Sequence, residues 1–171
     1  MQMMKISVPL NNDYLADEFG KYATDEDMVA GKPAKSFPIE IKDAPAATKS
    51  YAIYFRDYDS VPVCGFVWIH WLAANIPADQ VMIPADASRQ KTIPMIQGRN
   101  SNGSKFLPKS DAIINGYTGP QPPDRDHYYA LTIYALDREL DLPEGFYLNE
   151  FRRALDGHIL AKASVELLSR V

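Results

Sequence analysis

The feature that most constrains the fold is the alternation of short apolar, aromatic-rich runs with proline. The chain has 13 prolines among its 171 residues, and they lie mainly between the apolar runs, where they end strands rather than interrupt them. Valine, isoleucine and aromatic side chains favour the pleated surface of a strand. The pattern predicts a mainly β domain over residues 1–171, with candidate strands KSFPIEI (35–41), KSYAIYFRDYD (49–59), GFVWIHWLAANI (65–76), HYYALTIYALD (127–137) and ASVELLS (163–169).

One helix and one long loop are expected in addition. Leu148, Phe151 and Leu155 recur with helical spacing, which predicts an amphipathic helix that ends before Gly157. The segment 81–110 shows little periodicity. Long loops in compact domains are often functional, although disorder is the usual alternative.

Charge and composition exclude several classes of partner. The formal net charge is −4, and the 18 lysines and arginines are scattered, so no basic stripe is available to follow a nucleic acid. No apolar run is long enough to cross a bilayer, and the first residues lack the apolar centre of a signal peptide. Cys64 is the only cysteine and is expected to be a buried structural thiol. We therefore expect a soluble cytoplasmic protein.

The candidate chemistry depends on two of the three histidines. His70 lies in the middle of a predicted strand, so strict alternation places it beside Trp68 and opposite Trp71. Such a histidine is more often structural than functional. His127 opens the next long strand directly after a proline-rich loop, with Tyr129 on the same face. A structural role is also favoured for His158, which follows the glycine that ends the helix.

Two carboxylates stand at the end of a neighbouring run. Asp57 and Asp59 are spaced to reach one side, although aspartate also favours turns for purely local reasons. If the strands are neighbours, one of these carboxylates could meet His70 and His127. Such a cluster suits an oxyanion, with the rings as donors and an aspartate orienting one ring.

Other readings of the same cluster are weaker. It superficially matches a metal site with two histidines and one carboxylate, but the histidines lack a short ligand spacing. A histidine–aspartate pair could act as a general base, yet no clear nucleophile is visible. No nucleophile elbow, phosphate-binding loop or dinucleotide fingerprint is present, so neither a metal nor a cofactor is expected.

Four motifs in order carry a resemblance to a known family. DYDSVP, WIHWLAANIPAD, QGRNSNGS and GYTGPQPPDRDHYY are similar to motifs of the phosphatidylethanolamine-binding proteins, specifically of their bacterial Raf-kinase-inhibitor-like branch. The resemblance extends from about residue 36 to the C-terminus. It departs from the pattern at Tyr58, where the family has proline, at one additional residue before Pro62, in a longer loop after QGRNSNGS, and at Tyr128, where arginine is common.

The resemblance implies an antiparallel β-sandwich with a few short peripheral helices and a small anion pocket at one end. In the family this pocket takes phosphate, acetate or phosphorylethanolamine-like groups, without catalysis. Carried over by motif, the ligand-binding residues are Asp57, Asp59, Pro62, Trp68, His70, Gly119, Pro120, His127 and Tyr129. The family name also raises a protein partner, such as a kinase, and a homodimer, neither of which the residues themselves indicate.

Two further classes of function stay open. An enzyme would use His70, His127 and Asp57 as a hydrolytic or metal site. A pure interaction module would use the segment 81–110 as its contact surface.

Overall fold

The computed structural model describes residues 3–171. Over this range the chain forms twelve strands, three α-helices and three short 3₁₀ turns. The strands are β1 Lys5–Ser7, β2 Leu10–Asn11, β3 Tyr14–Leu15, β4 Met28–Val29, β5 Lys32–Pro33, β6 Ile39–Lys42, β7 Ser50–Asp57, β8 Trp68–Pro77, β9 Met82–Ile83, β10 Ile96–Gln97, β11 His127–Leu136 and β12 Ile159–Ser169. The helices are α1 Val61–Cys64, α2 Ala87–Gln90 and α3 Leu148–Leu155, and the 3₁₀ turns are Asp17–Phe19, Asp25–Asp27 and Ser101–Gly103.

Two sheets and one small hairpin organise these strands. Seven strands form the main sheet in the order β10-β8-β7-β11-β12-β3-β2, and β1-β6-β9 form a second sheet. Strands β4 and β5 form the hairpin. The pairing of β12 with β3 is parallel, and the other pairings within residues 3–171 are antiparallel. The main sheet is therefore mixed, and the expectation of a wholly antiparallel arrangement is not exact.

The larger hydrophobic core includes side chains from both sheets. Phe37 lies at its centre, with edge-to-face contacts to Phe55, Trp71 and Tyr117, the geometry that aromatic quadrupoles favour. A second cluster covers the other face of the main sheet, where the predicted helix α3 buries Phe151 and Leu155. The central strands are consequently covered on both faces, which explains their almost continuous apolar sequences.

The segment 81–110 differs from the structureless loop that was expected. It contains β9, α2, β10 and a 3₁₀ turn. Buried polar side chains hold it in place: Gln97 accepts hydrogen bonds from Trp71 Nε1 at 2.9 Å and from Ser88 Oγ at 2.6 Å. Side-chain bonds of this kind carry no periodic sequence signal, so the order of this segment could not be read from the sequence.

The strand bounds also differ from the prediction, most of all at two places. Strand β12 begins at Ile159, four residues before the predicted segment, because it pairs with β11 along its whole length. The first predicted strand is shortened to Ile39–Lys42. It begins directly after Pro38, a residue that has no amide hydrogen to give to a strand pairing.

Candidate functional site

Three adjacent strands bring the predicted polar residues to one end of the main sheet. In the strand register, Asp57 at the end of β7 lies opposite Trp68 at the start of β8. On its other side it lies opposite Tyr129 in β11. His127 precedes Tyr129 by two residues and lies on the same face of β11. The sheet order β8-β7-β11 therefore supplies the adjacency on which the predicted cluster depended.

A β-bulge in β8 directs His70 toward this end of the core. Phe55 pairs with Trp71 and Arg56 pairs with Ile69, so His70 is the additional residue between two consecutive pairs. The prediction that His70 and Trp71 lie on opposite faces of the strand is wrong. His70 packs on Phe55 at 5.6 Å between ring centroids, while Trp71 enters the same core beside Tyr117. Bulges commonly re-aim side chains next to functional sites.

His127 is held between two carboxylates. Its Nδ1 lies 2.7 Å from Asp57 Oδ2, and its Nε2 lies 2.7 Å from Asp124 Oδ1. The side chain is 1 % exposed. Burial opposes a charge on the ring, but the hydrogen bonds and charges of the two aspartates outweigh burial and raise the pKa of His127. A carboxylate acceptor on each ring nitrogen favours the imidazolium form of His127, in which both nitrogens donate.

Asp57 is buried, and each of its carboxylate oxygens has a hydrogen-bond partner. Its Oδ1 accepts a hydrogen bond from the backbone N–H of Asp59 at 2.9 Å, while Oδ2 accepts from His127. Burial raises the pKa of Asp57, although the hydrogen bond from His127 opposes the shift. Asp59 in turn accepts from the backbone N–H of Tyr128 at 2.9 Å. The two aspartates of the DYDSVP motif therefore have different roles: Asp57 orients the histidine, and Asp59 ties β7 to β11.

His70 has the opposite electrostatic character. Its Nδ1 lies 2.6 Å from the carbonyl oxygen of Thr118, and the residue is 5 % exposed. Burial lowers the pKa of His70 to about 4. The charges of Lys32 and His127 act in the same direction, whereas the hydrogen bond to Thr118 opposes the shift. The two histidines are therefore shifted in opposite directions: the pKa of His127 is raised and that of His70 is lowered.

A small cavity opens between these two histidines, and we refer to it as the His70 cavity. Its volume is about 140 Å³. Among the described residues, Lys32 is the only lysine or arginine in the wall of the cavity. Its ammonium lies 5.9 Å from the ring centroid of Trp68. The wall is formed by Lys32, Asp57, Ser60, Val63, Cys64, Trp68, His70, Asn102, Thr118, Gly119, Gln121, Pro123 and His127.

The predicted ligand residues divide into two groups. Five of them line the cavity: Asp57, Trp68, His70, Gly119 and His127. The other four, Asp59, Pro62, Pro120 and Tyr129, lie outside its wall. Tyr129 is 1 % exposed and packs edge-on against His70 with 5.1 Å between centroids, so it supports the ring from behind. Burial raises the pKa of Tyr129 above its ordinary value, and the charge of Asp57 adds to this.

Sequence reasoning missed Lys32, Thr118 and Asp124. Lys32 belongs to the β4–β5 hairpin, far from every motif in sequence, and a hydrogen bond from Gly119 N to Pro33 O at 2.9 Å fastens the hairpin to the rim. Asp124 lies inside the GYTGPQPPDRDHYY motif, three residues before His127, where its acidic character was the available signal. Lys32 supplies a positive charge to the wall of the cavity.

Cys64 also differs from expectation. It was predicted to be buried, yet it is exposed. It ends α1, a single turn with no buried residue that stands on the rim of the cavity. Because α1 stands at the rim and buries none of its residues, the thiol remains accessible.

The rim is rigid because its residues hold one another. Asn102 Nδ2 donates to Thr118 Oγ1 at 3.0 Å, and Asn100 Nδ2 donates to the Gly116 carbonyl at 3.0 Å. A Cβ at Gly119 would lie 2.3 Å from the Phe19 carbonyl oxygen, so only glycine fits there. The QGRNSNGS motif thus braces the loop that carries Thr118 and Gly119, which leaves little conformational entropy to lose when a ligand binds.

Residues 3–171 lack two further kinds of feature. No group of three or more histidine, cysteine, aspartate or glutamate side chains is arranged to hold a metal ion. Over the same part of the chain, none of the helices has the length and apolar character that spanning a membrane requires.

Comparison with known proteins identifies the family. The family described as phosphatidylethanolamine-binding protein matches residues 5–170. Bacillus subtilis YxkA is 50 % identical over 94 % of this chain and 96 % of its own length. A UPF0098 protein from Methanothermobacter thermautotrophicus is 32 % identical over 75 % of this chain and 78 % of its own. The chain belongs to the phosphatidylethanolamine-binding protein family.

Two solved structures show the same fold. A putative phosphatidylethanolamine-binding protein homologue from Chlamydia trachomatis has a TM-score of 0.76 and 26 % identity, with 99 % of this chain and 98 % of that chain covered. Escherichia coli YbcL, described as a new member of the mammalian family, has a TM-score of 0.76 at 22 % identity, with 99 % of each chain covered. The latter shares the fold.

Proposed function

We propose that the protein is a non-enzymatic binding protein that takes a small phosphate, or a phosphorylated head group such as phosphorylethanolamine, into the His70 cavity. The observation that carries this proposal is that the wall of one small cavity contains both Lys32 and His127, whose Nδ1 is bound to Asp57. A volume of about 140 Å³ is below the range of pockets for drug-sized ligands. It suits a single tetrahedral group.

The cavity offers few but well-placed donors to an anion. Lys32 and Thr118 both line it. The Thr118 hydroxyl already accepts from Asn102, so its own hydrogen is free to donate. The Nε2–H of His127 becomes a third donor when Asp124 turns away from it. Charge-assisted bonds of this kind are roughly twice as strong as neutral ones.

The same geometry disfavours hydrolysis, the alternative function. His127 and Asp57 resemble a base with its orienting carboxylate, but Nε2 of His127 is bound to Asp124 and not to a nucleophile. The Ser60 hydroxyl lies 2.7 Å from the carbonyls of Asp57 and Phe66 and accepts from the backbone of Trp68. It is used to hold β7 and β8 together at the rim.

A protein partner, including a kinase, and a homodimer would have to use surfaces outside this cavity. No feature of the His70 cavity selects such a partner, so the proposal is confined to the small ligand.

Calorimetric titration with inorganic phosphate and with O-phosphorylethanolamine tests the proposal. We expect saturable binding that weakens about tenfold in Lys32→Gln, because one charge-assisted hydrogen bond is lost. Lys49→Gln is the matched control, since Lys49 is exposed at the opposite end of β7 and its loss changes net charge equally. Absence of binding to both ligands, or equal losses in the two variants, would overturn the proposal.

A further inference from the structure

The tautomer of His70 is fixed by the backbone. Nδ1 lies 2.6 Å from the carbonyl oxygen of Thr118, and a carbonyl oxygen can only accept, so the hydrogen must be on Nδ1. A neutral imidazole has one hydrogen on nitrogen. With Nδ1 occupied, Nε2 of His70 carries a lone pair.

That lone pair has no partner within the described protein. His70 is 5 % exposed and lines the cavity, and its Nε2 makes no hydrogen bond to any described side chain or backbone group. Two buried side-chain polar atoms have no hydrogen-bond partner in the described chain, Arg99 Nε and Asn115 Oδ1. Nε2 of His70 is not one of them. Since it also has no partner, it is accessible from the cavity. The ring stays neutral because burial and the nearby charges of Lys32 and His127 oppose protonation.

The wall of the cavity therefore contains a hydrogen-bond acceptor, Nε2 of His70, although an anion needs hydrogen-bond donors. A fully deprotonated oxyanion would direct its own lone pairs at Nε2 of His70. A ligand that still carries a hydrogen would instead donate it to Nε2, while its other oxygens accept from Lys32 and Thr118.

We propose that His70 is a specificity-determining residue, which makes the cavity select tetrahedral oxyanions that carry a hydrogen over those that carry none. The inference rests on the proposed function and narrows its ligand class to hydrogen phosphate and its analogues. A ligand that leaves this buried acceptor without a donor should bind about 10- to 100-fold more weakly. Selection of this kind acts on the presence of one hydrogen and not on charge.

Four inorganic anions distinguish the effect of the ligand hydrogen from the effect of ligand charge, without any substitution in the protein. At about pH 8, hydrogen phosphate, hydrogen arsenate, sulfate and selenate are all dianions, and only the first two keep a hydrogen. We expect phosphate and arsenate to bind at least about tenfold more tightly than sulfate and selenate. Equal affinities for all four would overturn the role of His70 and leave the anion cavity in place. Binding of none of them would overturn both proposals.

A substitution assigns the selectivity to one residue. In His70→Gln the terminal amide can rotate to donate or to accept, so the ratio of phosphate to sulfate affinity should fall toward one. His158→Gln is the control, because His158 lies after α3 beside Asp137, outside the cavity wall. A ratio that persists in His70→Gln would overturn the inference.

A measurement on the wild-type protein tests the same inference even if His70→Gln does not fold. The ¹⁵N resonance of His70 Nε2 should shift on addition of phosphate, as the lone pair accepts a hydrogen bond, and should stay near its free value in sulfate. An Nε2 signal that responds equally to both anions, or to neither, contradicts the inference.

Discussion

Asp124 and Asp57 bind opposite edges of the same imidazole: each carboxylate lies 2.7 Å from one nitrogen of His127. Asp57 is buried, whereas the Asp124 side chain is 40 % exposed, so only Asp124 has room to move. An anion that reaches Nε2 of His127 must displace this carboxylate. The protein thus contains its own competitor for the ligand.

Replacing that competitor should tighten anion binding. We expect Asp124→Asn to raise phosphate affinity by about three- to tenfold, a modest effect because the group is partly exposed and screened. Asp141→Asn is the control for net charge, since Asp141 is exposed in a loop before α3. Titration of both variants with phosphate checks this, and a weaker affinity in Asp124→Asn would show that Asp124 supports the site.

The raised pKa of His127 predicts a pH-dependent stability. A group whose folded-state pKa is raised stabilises the fold fully below its unfolded pKa, here about 6.5. That contribution is lost as pH rises through the folded value. The free energy of unfolding, measured with urea across this window, should therefore fall with pH above about 6.5, and the slope should flatten in His127→Gln. An unchanged slope would contradict the doubly bonded imidazolium.

His70 and His127 should titrate on opposite sides of the ordinary histidine value. We expect the His70 ring to titrate at about pH 4, because of its burial, and the His127 ring above 6.5. Histidine ¹H–¹⁵N spectra recorded across pH resolve the two rings. Titration of both rings near 6.5 would show that neither environment is as described.

Gly119 should not tolerate even a methyl group. A Cβ there meets the backbone oxygen of Phe19 at 2.3 Å and the Cβ of Pro33 at 2.6 Å, so the rim must shift. We expect Gly119→Ala to lower the free energy of unfolding by about 1 to 3 kcal/mol. Gly103→Ala is the matched control, since its nearest contacts are on the flexible Arg99 side chain. Similar losses in both variants, measured by urea unfolding, would argue against a specially tight rim.

The parts of the site that the sequence predicted are those with local signals. Asp57, His70 and His127 stand at the ends or centres of aromatic-rich strands, and the motifs around them indicated a shared pocket. Helix α3 was predictable because its apolar spacing matches the face it buries. These features depend on residues close together in the chain.

The parts that could not be predicted depend on distant packing. The bulge at His70 lies in the run VWIHWLAA, which contains no glycine or proline to mark it. Lys32 reaches the cavity only because the β4–β5 hairpin is bonded to Gly119. The parallel pairing of β3 with β12 joins Tyr14 to Leu168 across most of the chain. None of these relations leaves a periodic pattern in the sequence.

The most direct test of the anion cavity is titration of the wild-type protein with inorganic phosphate, followed through the ring signals of its three histidines. Our account predicts saturable shifts of His70 and His127, with His158 unaffected and the affinity reduced in Lys32→Gln. Shifts that fail to saturate, or that leave both His70 and His127 in place, would contradict it.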